Sequence, residues 1–254
     1  MRLSFVIPAY NEQAYLGDCL RSILAQSEKL LVGHEVEIIV VNNASTDSTA
    51  EVARSFPGVI VVDEPRKGLT FARQAGFERA TGTLIANVDS DSRLTPGWLE
   101  QVFHTFAAEP RLLALSGPVI YDGLPPLKAQ LVRFFYLLSY AVYLCNRYVL
   151  RVGSMVQGGN FVLTRHALEL IGGFNTTIAF YGEDTDIARR LNKYGPVRFT
   201  FRLKMLTSPR RLEKEGVFTT AWRYTINYVW TTFFKHPFTK TYTDHREEAK
   251  APIN

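Results

Sequence analysis

The sequence predicts an α/β protein with a mostly parallel central sheet, helices on both faces and a single domain. Three observations carry this. Short runs that are apolar on both faces, LSFVIP, VEIIVV, VIVV and TLIANV, recur through the first hundred residues, as strands buried on two sides do. Between them lie stretches with helical spacing, such as Tyr15, Leu16, Cys19, Leu20, Ile23 and Leu24, and this alternation is the pattern of β-α units. The 254 residues are 46% hydrophobic, enough for one large core.

The elements follow in order. The first strand, LSFVIP, leads into the helix just named. After VEIIVV, Ser45 or Asp47 is placed to start the next helix, and after TLIANV, Thr95 can cap a helix with Pro96 at its first position. Beyond Pro118 the rhythm changes. An apolar amphipathic stretch comes first, then QGGNFVLTRHALELIGGF, then YGEDTDIARRLNKYG, then a strand at VRFTFRLKML. The division expected is a domain over 1–234, with a ligand-binding half 1–118 and a second half 119–234, and a polar tail over 235–254.

The formal net charge of +5 suits an anionic ligand or a membrane surface. A nucleic-acid binder is excluded, since no dense Lys/Arg stripe with interleaved aromatics appears. Cys19 and Cys145 sit in apolar contexts without metal spacing, and MRLSFVIPAYNE has too short an apolar stretch for a signal peptide. Both point to a reducing, cytoplasmic setting. The uncharged run FFYLLSYAVYLC, from Phe134 to Cys145, falls short of the roughly 20 residues that span a bilayer. Lys128, Arg133, Arg147 and Arg151 flank it. Two readings of 125–152 stand side by side: a helix lying in the inner membrane interface, or a core or oligomer-interface helix.

In open α/β sheets ligands bind beyond the carboxyl ends of the strands. Here those ends carry Pro8, Tyr10, Asn11 and Glu12, then Asn42, Asn43 and Asp47, then Asp89 and Asp91. On an extended strand Asp89 and Asp91 would point the same way. At about 6 to 7 Å and an effective dielectric near 20, their repulsion costs about 2 to 3 kcal/mol, which calls for a cation or full solvation. A divalent ion holding a diphosphate would meet that need with hard oxygen ligands. Neither GxGxxG nor GxxxxGK[ST] is present, which excludes the usual dinucleotide and P-loop sites. In GEDTD, Asp184 either complements the start of a helix or serves as a general base. Arg66, Lys67 and Arg73, and further on Arg210 and Arg211 in TSPRR, are candidates for phosphate contacts. The five histidines show no ligand spacing and no GxSxG elbow occurs, so neither zinc nor serine-hydrolase chemistry is supported.

FVIPAYNE, VVNNASTD, KGLTFARQAG, ATGTLIANVDSDS, GGNFVLTRHALELIGGFN and GEDTDIARRL stand in the order seen in family 2 glycosyltransferases. The chain resembles that family, which has the GT-A fold, from about Ser4 to Leu191, with TSPRR a further block. The resemblance implies an inverting transferase that uses a nucleotide-diphosphate sugar with Mg²⁺ or Mn²⁺. It implies a nucleotide pocket lined by Pro8, Tyr10 and Glu12, with Asn43 facing the base, Arg73 near the nucleotide or diphosphate, and Ser90 beside Asp89. Asp89 would contact ribose or metal, Asp91 the metal, and Asp184 would be the base. Gly159, Asn160, Glu183, Arg210 and Arg211 would serve the acceptor or the diphosphate. The family commonly has an Asp-Asp or Asp-Asn pair where this chain has Asn42 and Asn43, which leaves guanine and thymine donors open beside uracil.

No QxxRW block occurs, so transfer of one sugar per encounter is expected, to a lipid-linked or cell-envelope glycan. Two other classes compete. A sugar-phosphate nucleotidyltransferase would open with a Gly-rich phosphate loop, which PAYNEQAY is not. A non-catalytic sugar-nucleotide-binding protein would not require Asp184.

Overall fold

The computed structural model describes residues 1–30, 33–150 and 155–239. Four parallel strands build one side of the main sheet: β1 (Arg2–Ala9), β2 (Glu35–Asn42), β3 (Val59–Asp63) and β4 (Leu84–Val88). These are the four apolar runs of the sequence. The helices that link or follow them are α1 (Leu16–Ser27), α2 (Thr49–Arg54), α3 (Leu69–Arg79) and, after a short strand β5 (Ser92–Leu94), α4 (Trp98–Ala108). The chain continues through β6 (Ala114–Ser116) and β7 (Val119–Tyr121) to a long helix α5 (Pro126–Leu144), which runs into a π-helical segment, Cys145–Leu150. Next come β8 (Asn160–Thr164), α6 (Arg165–Leu170), α7 (Glu183–Leu191), β9 (Val197–Phe199), β10 (Met205–Thr207), α8 (Arg210–Glu215) and α9 (Val217–Phe234).

The main sheet has the order β3-β2-β1-β4-β8-β6-β9. Strand β8 is antiparallel to β4 and β6, while β6 and β9 are parallel. Elements from both halves of the chain therefore share one sheet. Residues of β1 alternate between two cores: Phe5 and Ile7 pack with Trp98, Leu99 and Val102 of α4, and Val6 packs with Ala72 of α3 and Ile187 of α7. A sheet with a fully buried face on each side explains why its strands read as continuous apolar runs. A second sheet, β5-β10-β7, closes one edge of the crevice at the strand ends.

Several local expectations are corrected. VRFTFRLKML is two strands, β9 and β10, in different sheets. Helix α4 starts later than the Thr95-Pro96 pair suggests, because the Thr95 hydroxyl donates to the Lys204 carbonyl at 2.7 Å rather than capping the helix. Asp47, by contrast, accepts from the Thr49 N–H at 3.0 Å at the start of α2. Within α5 the core-helix reading fails, since Tyr143 is its one buried residue. Among the described residues no helix is long and apolar enough to cross a membrane. Arg151, and the expected tail from residue 240 onward, lie outside the described residues.

Candidate active site

The carboxyl ends of β1, β2 and β4 open into a cleft of about 300 Å³, closed on the far side by the start of α7 and by the β10–α8 turn. Strand geometry puts Pro8 and Tyr10 there, and the turn after β4 delivers Asp89, Ser90 and Asp91. Strand β4 ends at Val88, so the two acids sit on a turn rather than on one strand face. The sheet places them together all the same.

Their mutual repulsion is answered by two arginines. Arg73, 1% exposed, lies 3.4 Å from the Asp89 carboxylate and is ion-paired with Glu183. Its guanidinium also stacks on the Phe161 ring, 5.1 Å from the centroid. Arg210 bridges the tips of two strands: it donates to both oxygens of Glu12, at 2.9 and 2.8 Å, and to Asp91 at 2.8 Å. Tyr15 lies beneath it, 4.1 Å from ring centroid to guanidinium carbon. Glu12 is held from behind by its own N–H, which donates to Thr49 at 2.8 Å. Charge-assisted bonds of this kind are the stronger class, and they fix the strand tips relative to one another.

In the same cleft Asp184 is clasped by backbone. The Thr185 N–H donates to one of its oxygens at 2.7 Å and the Gly158 N–H to the other at 3.0 Å. Burial nonetheless pushes its carboxyl above the ordinary range, the two backbone bonds opposing it. Burial also raises Glu183, to about 7, against the pull of Arg73. A half-buried carboxylate that lines a cleft and binds a proton more readily than an exposed one has the character of a general base.

Thirteen residues named from the sequence meet in this cleft: Pro8, Tyr10, Glu12, Asn43, Lys67, Arg73, Asp89, Ser90, Asp91, Glu183, Asp184, Arg210 and Arg211. Others, among them Asn160, Gly159 and Arg66, do not line it. Asn160 is fully buried outside the cleft, accepting from the Trp98 indole at 3.0 Å and donating to the carbonyls of Gly117, Pro118 and Leu203. It pins β8 to two loops. Gly159 lies behind Asp89: its φ is +76°, and a Cβ there would fall 2.2 Å from the Asp89 carboxylate. Gly159 thus makes room for the Asp89 carboxylate, while Gly158 lines the cleft. Arg66 turns away onto Glu64, at 2.7 Å. The amide of Asn43 is also redirected, donating to the carbonyls of Glu64 and Arg66 and accepting from the Gly68 N–H, so it shapes the 64–68 loop at the cleft wall.

Sequence reasoning passed over the aromatic wall. Tyr121, Phe180, Tyr181 and Tyr224 line the cleft, and Arg211 donates to the Tyr224 hydroxyl at 2.5 Å while stacking on Phe180 at 4.5 Å. No spacing signal joins these residues, which lie on β7, the α7 approach and α9. Lys67 sits 3.8 Å over the Tyr10 ring.

The Glycosyl transferase family 2 profile matches residues 4–172. Glycosyltransferase GlyA of Streptococcus pneumoniae is 33% identical over 104 residues, 39% of this chain and 14% of that protein. The curated relatives matched first are aligned over about a third of their own length or less. Among solved structures, the mannosyltransferase PcManGT of Pyrobaculum calidifontis, in complex with GDP-Man and Mn²⁺, superposes with a TM-score of 0.67 at 21% identity, over 92% of this chain and 63% of that one. Glucosyl-3-phosphoglycerate synthase of Mycobacterium tuberculosis, with Mn²⁺, UDP-glucose and phosphoglyceric acid, gives 0.60 at 19% identity, over 91% and 79%. These two likenesses establish the GT-A fold. With more than half of its length matched by the family profile, the chain belongs to glycosyltransferase family 2.

Proposed function

We propose that this glycosyltransferase is inverting and metal-dependent, and moves one sugar from a nucleotide-diphosphate donor to a hydroxyl of a lipid-linked or cell-envelope glycan at the inner membrane face. The observation that carries the reading is that one cleft is lined by both the Asp89–Asp91 turn and the backbone-clasped Asp184. The donor's nucleotide lies along Pro8, Tyr10 and Glu12, with the 64–68 loop shaped by Asn43 beside it. The base stays open, since the solved relatives carry both GDP and UDP donors.

The donor set fits a divalent ion. Asp89 and Asp91 offer hard carboxylate oxygens, with side chains 43% and 21% exposed. Among the described residues no group of three or more His, Cys, Asp or Glu could hold a metal, so diphosphate and water would complete the coordination shell. When bound, Mg²⁺ or Mn²⁺ supplies neutralisation of the charge that develops on the departing diphosphate.

The chain's own groups do the rest. Arg210 and Arg211 add positive charge at the diphosphate side. Arg73 holds Asp89 and Glu183 in place from beneath the cleft floor. Asp184 takes the proton from the acceptor hydroxyl as its oxygen attacks the anomeric carbon. Attack from the Asp184 side, with departure toward the Asp89–Asp91 side, inverts the configuration. Product analysis with a panel of nucleotide sugars and a polyprenyl-phosphate acceptor tests this: free nucleoside diphosphate and an inverted glycosidic bond are expected. Release of pyrophosphate would identify a nucleotidyltransferase, and retained configuration would remove Asp184 from its role.

A further inference from the structure

Exposed apolar side chains scattered singly are ordinary on a protein surface, but contiguous patches are not. Here they converge on two helices. Phe134, Leu137 and Leu138 on α5 and Phe218, Trp222 and Phe233 on α9 are each 52–69% exposed. The helices form one surface, since Phe135 meets Phe218 edge-on at 6.1 Å and the Asn146 amide donates to the Tyr228 hydroxyl at 2.8 Å.

Basic side chains predominate on this surface, with Glu215 of α8 paired to Arg223 at its edge. From Pro126 to Leu150 and from Val217 to Thr239 there is no Asp or Glu, while Lys128, Arg133, Arg147, Arg223 and Lys235 are all present. The surface also reaches the cleft: Tyr224 of α9 lines it, and α9 packs against α7, which carries Asp184.

We infer that α5, the π-helical segment and α9 form a docking platform for an anionic bilayer surface, which brings the cleft mouth to the lipid phase. Aromatic and aliphatic side chains enter the headgroup boundary, and the cations meet anionic lipid. A second copy of the chain fits less well, because a twofold interface sets a patch against itself and would oppose Lys128, Arg133, Arg147 and Lys235 to their own copies. Residues 240–254, outside the described residues, carry Tyr242 and Ile253 as their large apolar side chains, too few to cover this face. The inference deepens the membrane-side acceptor proposed above, and its test reads binding alone.

Flotation of the full chain with phosphatidylcholine vesicles, with and without about 30% phosphatidylglycerol, is the experiment. Binding to the anionic vesicles that weakens at 0.5 M NaCl is expected, as screening requires. Phe218→Ala with Trp222→Ala should lower partitioning at least tenfold, and Lys128→Glu should lower it several-fold. Both variants should keep the thermal shift that a nucleoside diphosphate with Mn²⁺ gives the unaltered chain. Failure of the intact chain to float with anionic vesicles, while that thermal shift persists, would overturn the platform and leave the glycosyltransfer reading standing. A concentration-dependent dimer abolished by the Phe218/Trp222 variant would overturn it in favour of self-association.

Discussion

The strand-tip rim and the α5/α9 surface of this protein solve opposite problems. At the rim each charged group named has a partner built into the chain: Glu12 and Asp91 share Arg210, Asp89 and Glu183 share Arg73, and Asn43 binds three backbone groups. On α5 a single residue is buried, and large aromatic side chains of α9 face outward. A rim locked in advance lets a donor bind without ordering loose side chains. On the function and docking surface proposed above, the molecule separates a preorganised donor pole from an acceptor pole completed by its surroundings.

The sharpest way to break this comparison is at the donor pole's opposite wall. Asp184→Asn is expected to cut transfer by about 10²–10⁴-fold in steady-state assays. Next in size, Asn160→Ala should destabilise the fold by about 1–3 kcal/mol in denaturant unfolding, because the Trp98 indole and buried carbonyls would lose their partner. Its effect on nucleotide affinity should be secondary to that loss.

Glu183 supplies a pH-dependent test. Its carboxyl is raised to about 7 by burial, so its contribution to stability is fully present below the ordinary glutamate range and is lost as pH rises through about 7. The unaltered chain should therefore lose stability relative to Glu183→Gln as pH climbs from about 5 to 8, in parallel thermal melts. A flat difference would show that Arg73 fully compensates the buried charge. Smallest of all on donor binding, Arg66→Ala should leave nucleotide affinity within error in calorimetric titration, since Arg66 is turned onto the buried Glu64 away from the cleft, and the loss of that pair should show in stability alone.

Much of the donor pole was legible because its signals are local. Continuous apolar runs named β1 to β4, and polar residues at their ends named Tyr10, Glu12, Asp89 and Asp91, since a parallel sheet gathers its strand ends on one rim. Asn160 was misread because GGN resembles a ligand loop, whereas its partners lie about 40 residues away in sequence, at Gly117 and Leu203. The division of VRFTFRLKML between two sheets depends on pairing with β6 and with β5 and β7, which no local pattern records. The α5 run posed a different difficulty, because periodicity does not distinguish an apolar face that is buried from one that is exposed.

Calorimetric titration of a nucleoside diphosphate with Mn²⁺ into Asp91→Ala and Asp184→Asn tests most directly whether the two walls of the cleft divide donor binding from proton removal. Binding should vanish in the first variant and persist near unaltered affinity in the second. Equal loss in both, or full metal-dependent binding by Asp91→Ala, would contradict that division of labour.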